Sequence, residues 1–502
     1  MAVERIGSII KHLAPGSAIN QIQSKNPDDI VITLAVRTPL TKARKGGFKD
    51  TSLEYMIYAL LKQVRERSNL DPALVEDVCF GNVSDGKAAY KLRAAALAAG
   101  FPNTAGASTV NRFCSSGLKA IADIAHAISN NSIEIGIAGG AELMSAPGDR
   151  LEQPFDETIL KASQDAADCM QPMGWTSENV GRDFNIPREE LDKYAAESFQ
   201  RAEKAQKAGW FDPRPPPPPP IGIAGGAELM SAPGDRLEQP FDETILKASQ
   251  DAADCMQPMG WTSENVGRDF NIPREELDKY AAESFQRAEK AQKAGWFDDE
   301  IVPISTKVKG PDGEVKEVTL TKDEGIRPGT TAEGLGKVRA AFPQWGPLTT
   351  GGNASQVTDG ASAVILMKRS TAVKLGQPIL GKYVGSTIAG LAPRIMGIGP
   401  SIAIPKLLTI HNIALADIDV VELNEAFATM AVYCRDKLSL DWTKMNPRGG
   451  AIALGHPLGT TGARQVVTGL SELRRQKKKI LLTSMCIGTG QGMAGLFVNE
   501  VV

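Results

Sequence analysis

The chain has 502 residues, 42% of them apolar, and a formal net charge of −3. That length suggests about two to four domains, and the balance gives no electrostatic reason to bind nucleic acid. No run of about 18 apolar residues occurs, which excludes a transmembrane helix, and the first residues lack the apolar core of a secretory signal. The six cysteines, Cys79, Cys114, Cys169, Cys255, Cys434 and Cys486, show no C-x-x-C spacing, so a zinc site or disulfide scaffold is a poor reading and free thiols in a reducing compartment a better one.

Near the start, Ile6, Ile9, Ile10 and Leu13 form an apolar stripe at helical spacing. Short β-branched runs then alternate with helical patterns: Ile30–Val36, a helix near Ser52–Arg67, Val78–Phe80, a helix near Ala88–Ala99, Ser115–Ile128 and the strand Ile133–Ala138. A second series follows at Ser362–Met367, Gly381–Ala389, a helix near Ser401–Ile410, Asp419–Leu423, a helix from Glu425, Gly462–Arg475, Ile480–Met485 and Met493–Val498. The punctuation is βαβα, and it predicts two α/β halves, each burying a mixed sheet under helices.

Between the two series lies an internal repeat without a single difference. Ile135–Asp212 recurs letter for letter as Ile221–Asp298, an offset of 86 residues, with Pro213, Arg214 and the run Pro215–Pro220 between the copies. Structural repeats drift, so a perfect copy reads as a recent duplication or a gene-structure error rather than an evolved solenoid. The proline run, which cannot join a ladder, reads as a stiff polyproline spacer. Within each copy, Arg188–Ala208 and its twin Arg274–Ala294 have charged helical spacing and predict a partly exposed helical excursion.

Four constellations carry chemistry. In Val110-Asn111-Arg112-Phe113-Cys114-Ser115-Ser116-Gly117 a cysteine meets the start of a helix, where the dipole and unmet N–H groups favour thiolate; a small buried hydrophobe is an equal alternative on spacing alone. In Gly449–Gly462 a glycine-dense turn holds His456 before Pro457, which suits a base or an oxyanion donor, and no Walker lysine-serine follows to favour phosphate. His126 and His411 fit structural roles, and His12 belongs to the N-terminal segment. Cys486-Ile487-Gly488-Thr489-Gly490-Gln491-Gly492 follows an apolar strand, with alternating glycines that suit a crevice floor or a hairpin. Asn424-Glu425-Ala426-Phe427-Ala428 follows the strand ending at Leu423, where an α/β sheet keeps its active site.

Taken in order and spacing, N-R-x-C-S-S-G, N-E-A-F-A, G-H-P-x-G-x-x-G and C-x-G-x-G-x-G resemble the four signatures of the thiolase family. The match extends to Arg37-Thr38-Pro39, Gly46–Thr51, Gly352–Ser355 and Met396–Pro400, and covers nearly the whole chain outside the extra 86 residues. The resemblance implies the thiolase fold: two similar βαβα half-domains with mixed sheets between helices, packed face to face, plus an inserted loop domain. The expected divisions are a targeting segment at 1–20, an N-terminal half at 21–145 and 299–367, a loop domain at 146–298 and a C-terminal half at 368–502.

The resemblance also implies the chemistry. Cys114 attacks the 3-keto carbon of a 3-ketoacyl-CoA with help from His456, Cys486 protonates the departing acetyl-CoA enolate and then deprotonates CoA, and the products are acetyl-CoA and a shortened acyl-CoA. His456 and a water on Asn424 stabilise the thioester oxyanion, while backbone N–H groups of Cys114 and Gly488 serve the other. Ser355 lies near the pantetheine arm, and Met173 or Met259 lines the acyl pocket. CoA is a co-substrate and no cofactor or metal is resident; the assembly is a homodimer or dimer of dimers. Arg5, Ile6, His12 and Leu13 resemble a type-2 peroxisomal targeting signal read by an import receptor. Related condensing enzymes such as ketoacyl synthases lack a second active-site cysteine, so Cys486 argues against them; a catalytically impaired acyl-CoA-binding protein and an acetoacetyl-CoA thiolase are the remaining alternatives.

The duplication adds a packing problem, since two identical segments compete for one place. The first copy continues from Ile133-Glu134, whereas prolines precede the second, so the core strand is expected from the first. The second copy runs directly into Asp299-Glu300-Ile301, so the loop-domain helices are expected from Met259–Trp296, with the surplus extruded as a bulge whose closure cost rises only slowly with length.

Overall fold

Strands buried on both faces carry continuous apolar runs rather than alternation, and the long strands here have that character: IVITLAVR and ILLTSMCI are buried almost throughout. A computed structural model of the chain describes residues 17–145, 157–162, 250, 259–344 and 346–501. The strands among them are β1 (Ile30–Arg37), β2 (Thr41–Lys42), β3 (Asp77–Gly81), β4 (Gly106–Val110), β5 (Ile135–Glu142), β6 (Ile304–Lys309), β7 (Val315–Leu320), β8 (Thr358–Lys368), β9 (Gly381–Gly390), β10 (Val420–Leu423), β11 (Ile480–Ile487) and β12 (Gln491–Asn499).

Their order across the sheet is β4-β3-β5-β8-β1 followed by β9-β12-β11-β10, with β2 added to β8 and β6-β7 as a separate hairpin. The two runs have one topology. In the first, β3 and β5 are parallel while β8 is antiparallel to both β5 and β1. In the second, β10 and β11 are parallel while β12 is antiparallel to both β11 and β9. The halves meet edge to edge through only two residue pairs, Val31 with Lys382 and Ile32 with Gly381.

What joins them more firmly is a shared layer of helices. The Ser116–Ser129 helix, whose Leu118, Ile121, Ala125 and Ile128 recur at helical spacing, packs against the Leu458–Gln476 helix, and both pack against strands. Leu118, Ile121, Val467 and Leu470 belong there to one buried cluster with Ile32, Leu366, Leu481 and Met485. Outer layers cover the other faces. The Leu53–Ser68 helix, started by Ser52 accepting from Tyr55 N–H, buries Leu60 and Leu61 against Ile137 and Ile365. On the second half, the Pro400–His411 and Ala428–Leu438 helices bury Leu407 and Ala431 with Leu482 and Leu496. Each fully buried Leu or Ile contributes roughly 1.5–3 kcal/mol relative to exposure.

The competition between the copies is resolved by splitting them. β5, in the middle of the first half, is residues 135–142 of the first copy, while the Met259–Asp269 and Arg274–Lys293 helices are residues of the second, with Leu277 and Phe285 fully buried. The second copy leads into Glu300, which is fully buried between Arg37 at 2.6 Å and Arg448 at 3.2 Å; Arg37 also binds Asp323 at 2.7 Å. Removing one partner from such a buried network costs about 3–5 kcal/mol. Residues 1–16 of the targeting segment, Met173, the proline run, Arg188–Ala208 and most of the proposed bulge lie outside the described residues.

Some elements differ from expectation. The strand read as Ile133–Ala138 starts at Ile135 and continues to Glu142, because two glycines, Gly139 and Gly140, sit in the ladder opposite Ala363 and Ser362. The helix read from Glu425 starts at Ala428, since the Glu425 carboxylate is occupied elsewhere. Strand β4 is the β-compatible stretch expected to end at Val110, whereas the β6-β7 hairpin was not anticipated. No helix among the described residues is long and apolar enough to cross a membrane.

Candidate active site

Strand β4 delivers the chain into a tight turn before the Ser116–Ser129 helix. Asn111 Oδ1 accepts from Phe113 N–H at 2.9 Å; Ser116 Oγ accepts from Arg112 N–H at 2.8 Å and donates to the Phe113 carbonyl at 2.6 Å. These bonds hold Phe113 at φ 46°, a left-handed conformation costly for an aromatic residue and the kind of strain that collects at functional sites. Cys114 follows, buried, two residues ahead of the helix.

Its thiol is not activated as the helix-dipole argument expects. Burial pushes the Cys114 thiol up to about 11; N–H groups of Gly488 and of Cys114 itself, both donating toward the sulfur, pull it partway back, and the Glu142 carboxylate opposes ionisation. The Cys114 thiol is therefore neutral at rest and would need a base to act as a nucleophile. Cys486 lies at the end of β11, opposite Gly492 in the β11-β12 hairpin, and burial followed by the proximity of Cys114 holds it well above the ordinary range. It is packed with Met396, Ala426 and Met430, with Met259 and Phe427 alongside.

His456 is set by its neighbours. Gly455, at φ 118° and against the Thr358 side chain, makes the turn that only glycine enters readily. His456 N–H donates to the Gln356 carbonyl at 2.9 Å, its Nδ1 is 2.6 Å from Thr461 Oγ1, and its Nε2 is 3.4 Å from Asn424 Nδ2. With the Asn424 amide as donor, Nε2 is the acceptor and Nδ1–H donates to Thr461. Burial, helped by the Arg464 charge, lowers the imidazole to about 4, so it is neutral and able to take a proton.

Asn424 follows β10, its N–H on the Ser484 carbonyl of β11 at 2.9 Å. Its Oδ1 is buried with no hydrogen-bond partner among the described residues. Glu425 beside it accepts from Tyr280 at 2.9 Å, Ser284 at 2.7 Å, Asn446 at 2.8 Å and Ile452 N–H at 3.1 Å, tying the second copy's helix and the His456 turn to the same strand end. Ser355 donates its N–H to the Ala426 carbonyl at 3.0 Å and is half-buried beside this stretch.

Thus Cys114, Gly488 and Cys486 form one group and Asn424 and His456 a second, with the Gly459 backbone after the His456 turn packed against Gly117 of the Cys114 helix; Met259 lies beside Cys486 and Ser355 beside Ala426. The sequence reading missed Glu142, Thr461, Gln356 and Arg464. Glu142 had a legible signal, a carboxylate two residues after Gly139-Gly140 at a strand end. No cluster of His, Cys, Asp and Glu able to hold a metal occurs among the described residues.

Paired thiols, a neutral imidazole and a buried amide at the junction of two halves of one topology define an acyl-transfer site on a doubled α/β fold, and the chain belongs to the thiolase family. Residues 30–214 and 220–370 match the thiolase N-terminal domain and residues 377–499 the thiolase C-terminal domain. It is similar to the peroxisomal 3-ketoacyl-CoA thiolase of Yarrowia lipolytica, 41% identical with 99% of this chain and all of that protein covered, and to that of Homo sapiens, 40% identical with 93% and 90% covered. Among solved structures, the dimeric peroxisomal thiolase of Saccharomyces cerevisiae superposes with a TM-score of 0.72 at 38% identity, covering 96% of this chain and all of that one. The acetyl-CoA acetyltransferase of Bacillus anthracis gives 0.70 at 30% identity, covering 95% of this chain and all of that one.

Proposed function

We propose that this chain cleaves 3-ketoacyl-CoA with CoA, giving acetyl-CoA and an acyl-CoA shortened by two carbons, in the peroxisomal β-oxidation of fatty acids. The observation that carries this reading is the convergence of two electrostatically coupled buried thiols, one of them under two N–H donors, with the His456–Asn424 pair.

In this reading His456 Nε2 takes the Cys114 proton as the sulfur attacks the 3-keto carbon. Charge then develops on the substrate oxygen, where protonated His456 and a water on Asn424 Oδ1 receive it. Breaking the carbon–carbon bond leaves the acyl group on Cys114 and an acetyl-CoA enolate, which the neutral Cys486 thiol protonates while the N–H groups of Cys114 and Gly488 hold the enolate oxygen. The Cys486 thiolate then removes the proton of incoming CoA, whose sulfur takes the acyl group, and the departing Cys114 thiolate recovers its proton from His456. A covalent thioester divides one hard step into two, and Cys486 alternates as acid and base. This chemistry uses CoA as co-substrate and asks for no resident cofactor. Met259 lines the acyl pocket and Ser355 the pantetheine path.

A homodimer is the proposed assembly, supported by the dimeric state in the name of the yeast relative and by β4, which among the described residues is an edge strand paired with β3 alone. Peroxisomal location is supported by the relatives' names and by Arg5, Ile6, His12 and Leu13. The domain divisions given above are retained as part of the proposal.

The test is CoA-dependent cleavage of acetoacetyl-CoA and a longer 3-ketoacyl-CoA by the full chain and by a version lacking Ile135–Pro220. Turnover of the longer substrate by either chain supports the reading. Binding of acyl-CoA without turnover in both favours the impaired acyl-CoA-binding alternative.

A further inference from the structure

We propose that Glu142 is a positioning residue that locks the Cys114 side of the site to the His456 side. The inference rests on the acyl-transfer reading above and adds a residue to it. Glu142 closes β5 and is fully buried. Its Oε2 accepts from Val83 N–H at 2.9 Å, in the first half, and from Gly459 N–H at 3.0 Å, in the second half's helix directly after the His456 turn; Oε1 accepts from Ser84 N–H at 3.2 Å and from the Ser84 hydroxyl. A single carboxylate thus binds donors from the loop after β3 and from the first turn of the Leu458–Gln476 helix, where negative charge also meets the positive end of the dipole.

The surrounding backbone explains why the register matters. The Gly459 carbonyl oxygen lies 2.7 Å from where a Cβ would stand on Gly81 or on Gly117, and closer still to that of Gly140. Three glycines therefore admit the helix start into the crevice beside the Cys114 turn, and Glu142 fixes its depth. The same carboxylate is near enough to the Cys114 thiol for its charge to oppose ionisation. Of the other titratable groups nearby, Cys486 is coupled to that thiol, His456 is neutral, and Arg112 reaches Gln491 at 3.3 Å.

The duplication supplies an internal control. Glu228 has the same sequence context as Glu142, in the copy that does not supply β5. We expect Glu142→Gln in the full chain to lower kcat by roughly ten- to a hundredfold with little change in KM, the scale of a small misplacement of reacting groups. The pH midpoint of Cys114 alkylation by iodoacetamide should move down by roughly one unit as the opposing charge is lost. Glu228→Gln should match the parent in both, and Ser84→Ala, which removes one donor, should lower kcat several-fold at unchanged melting temperature. Alkylation needs no substrate, so absence of thiolysis in the parent would fail the functional reading alone. A folded Glu142→Gln protein with parental kcat and alkylation profile would overturn the inference, as would equal losses in Glu142→Gln and Glu228→Gln. Should Glu142→Gln not fold, parental kinetics in Ser84→Ala would overturn it.

Discussion

His456 and Asn424 meet with the ring Nε2 3.4 Å from the amide Nδ2, and the Asn424 Oδ1 beside them is buried without a partner among the described residues. An unmet buried acceptor costs about 1–3 kcal/mol, which a bound water offsets. Asn424→Ala should therefore leave stability unchanged or slightly higher while lowering kcat about a hundredfold, the usual cost of losing one preorganised oxyanion donor. Steady-state kinetics with a melting curve checks this; a rise in KM at parental kcat would place Asn424 in binding instead.

Acid stability follows from the same histidine. Its imidazole is held at about 4 in the folded chain, by burial first and Arg464 second, against an ordinary 6.5. Between these values the unfolded chain binds the proton and the folded chain does not, so stability falls as pH drops from about 6.5 towards 4. Replacing His456 with Gln should reduce the loss between pH 7 and pH 5 by roughly 2 kcal/mol, read from urea unfolding at both values. The buried cysteines act at the other end. Cys79 and Cys114, pushed to about 11 by burial, keep their protons where the unfolded thiols lose them, so stability declines as pH rises above 9 towards 11.

The duplicated glycines test which copy builds the sheet. A Cβ on Gly140 would run into the Gly459 carbonyl and stand 2.8 Å from the Thr460 Cα, whereas Gly226 occupies the same place in the second copy's sequence. Gly140→Ala should destabilise the chain by about 1–3 kcal/mol or more and depress activity through the His456 turn. Gly226→Ala should be silent in both, and a thermal melt of each variant decides the matter.

These cases show why part of the fold was legible and part was not. Cys114 and His456 stand in turns beside small residues, and Cys486 near the end of an apolar strand before alternating glycines, where residue type and punctuation agree. Glu142 escaped because Gly139 and Gly140 look like a strand's end, although the ladder runs on through them opposite β8. The start of the Ala428–Leu438 helix escaped because Glu425 is spent on Tyr280, Ser284 and Asn446, long-range partners that local propensity does not see. Strand β4, reading Gly-Ala-Ser-Thr-Val, has weak β propensity and is held by its parallel pairing with β3. The Pro311-Asp312-Gly313 turn of the β6-β7 hairpin was readable and was passed over. The split between the copies was readable because prolines cannot continue a central ladder.

Acyl capture at Cys114 tests the central claim most directly. The full chain would be mixed with a 3-ketoacyl-CoA labelled in its distal acyl carbons, without free CoA, then acid-quenched, digested and read by mass spectrometry. The expected result is label on the Cys114 peptide, its release when CoA is added, and its loss in Cys114→Ala. Cleavage of the substrate with no label on Cys114 would contradict it.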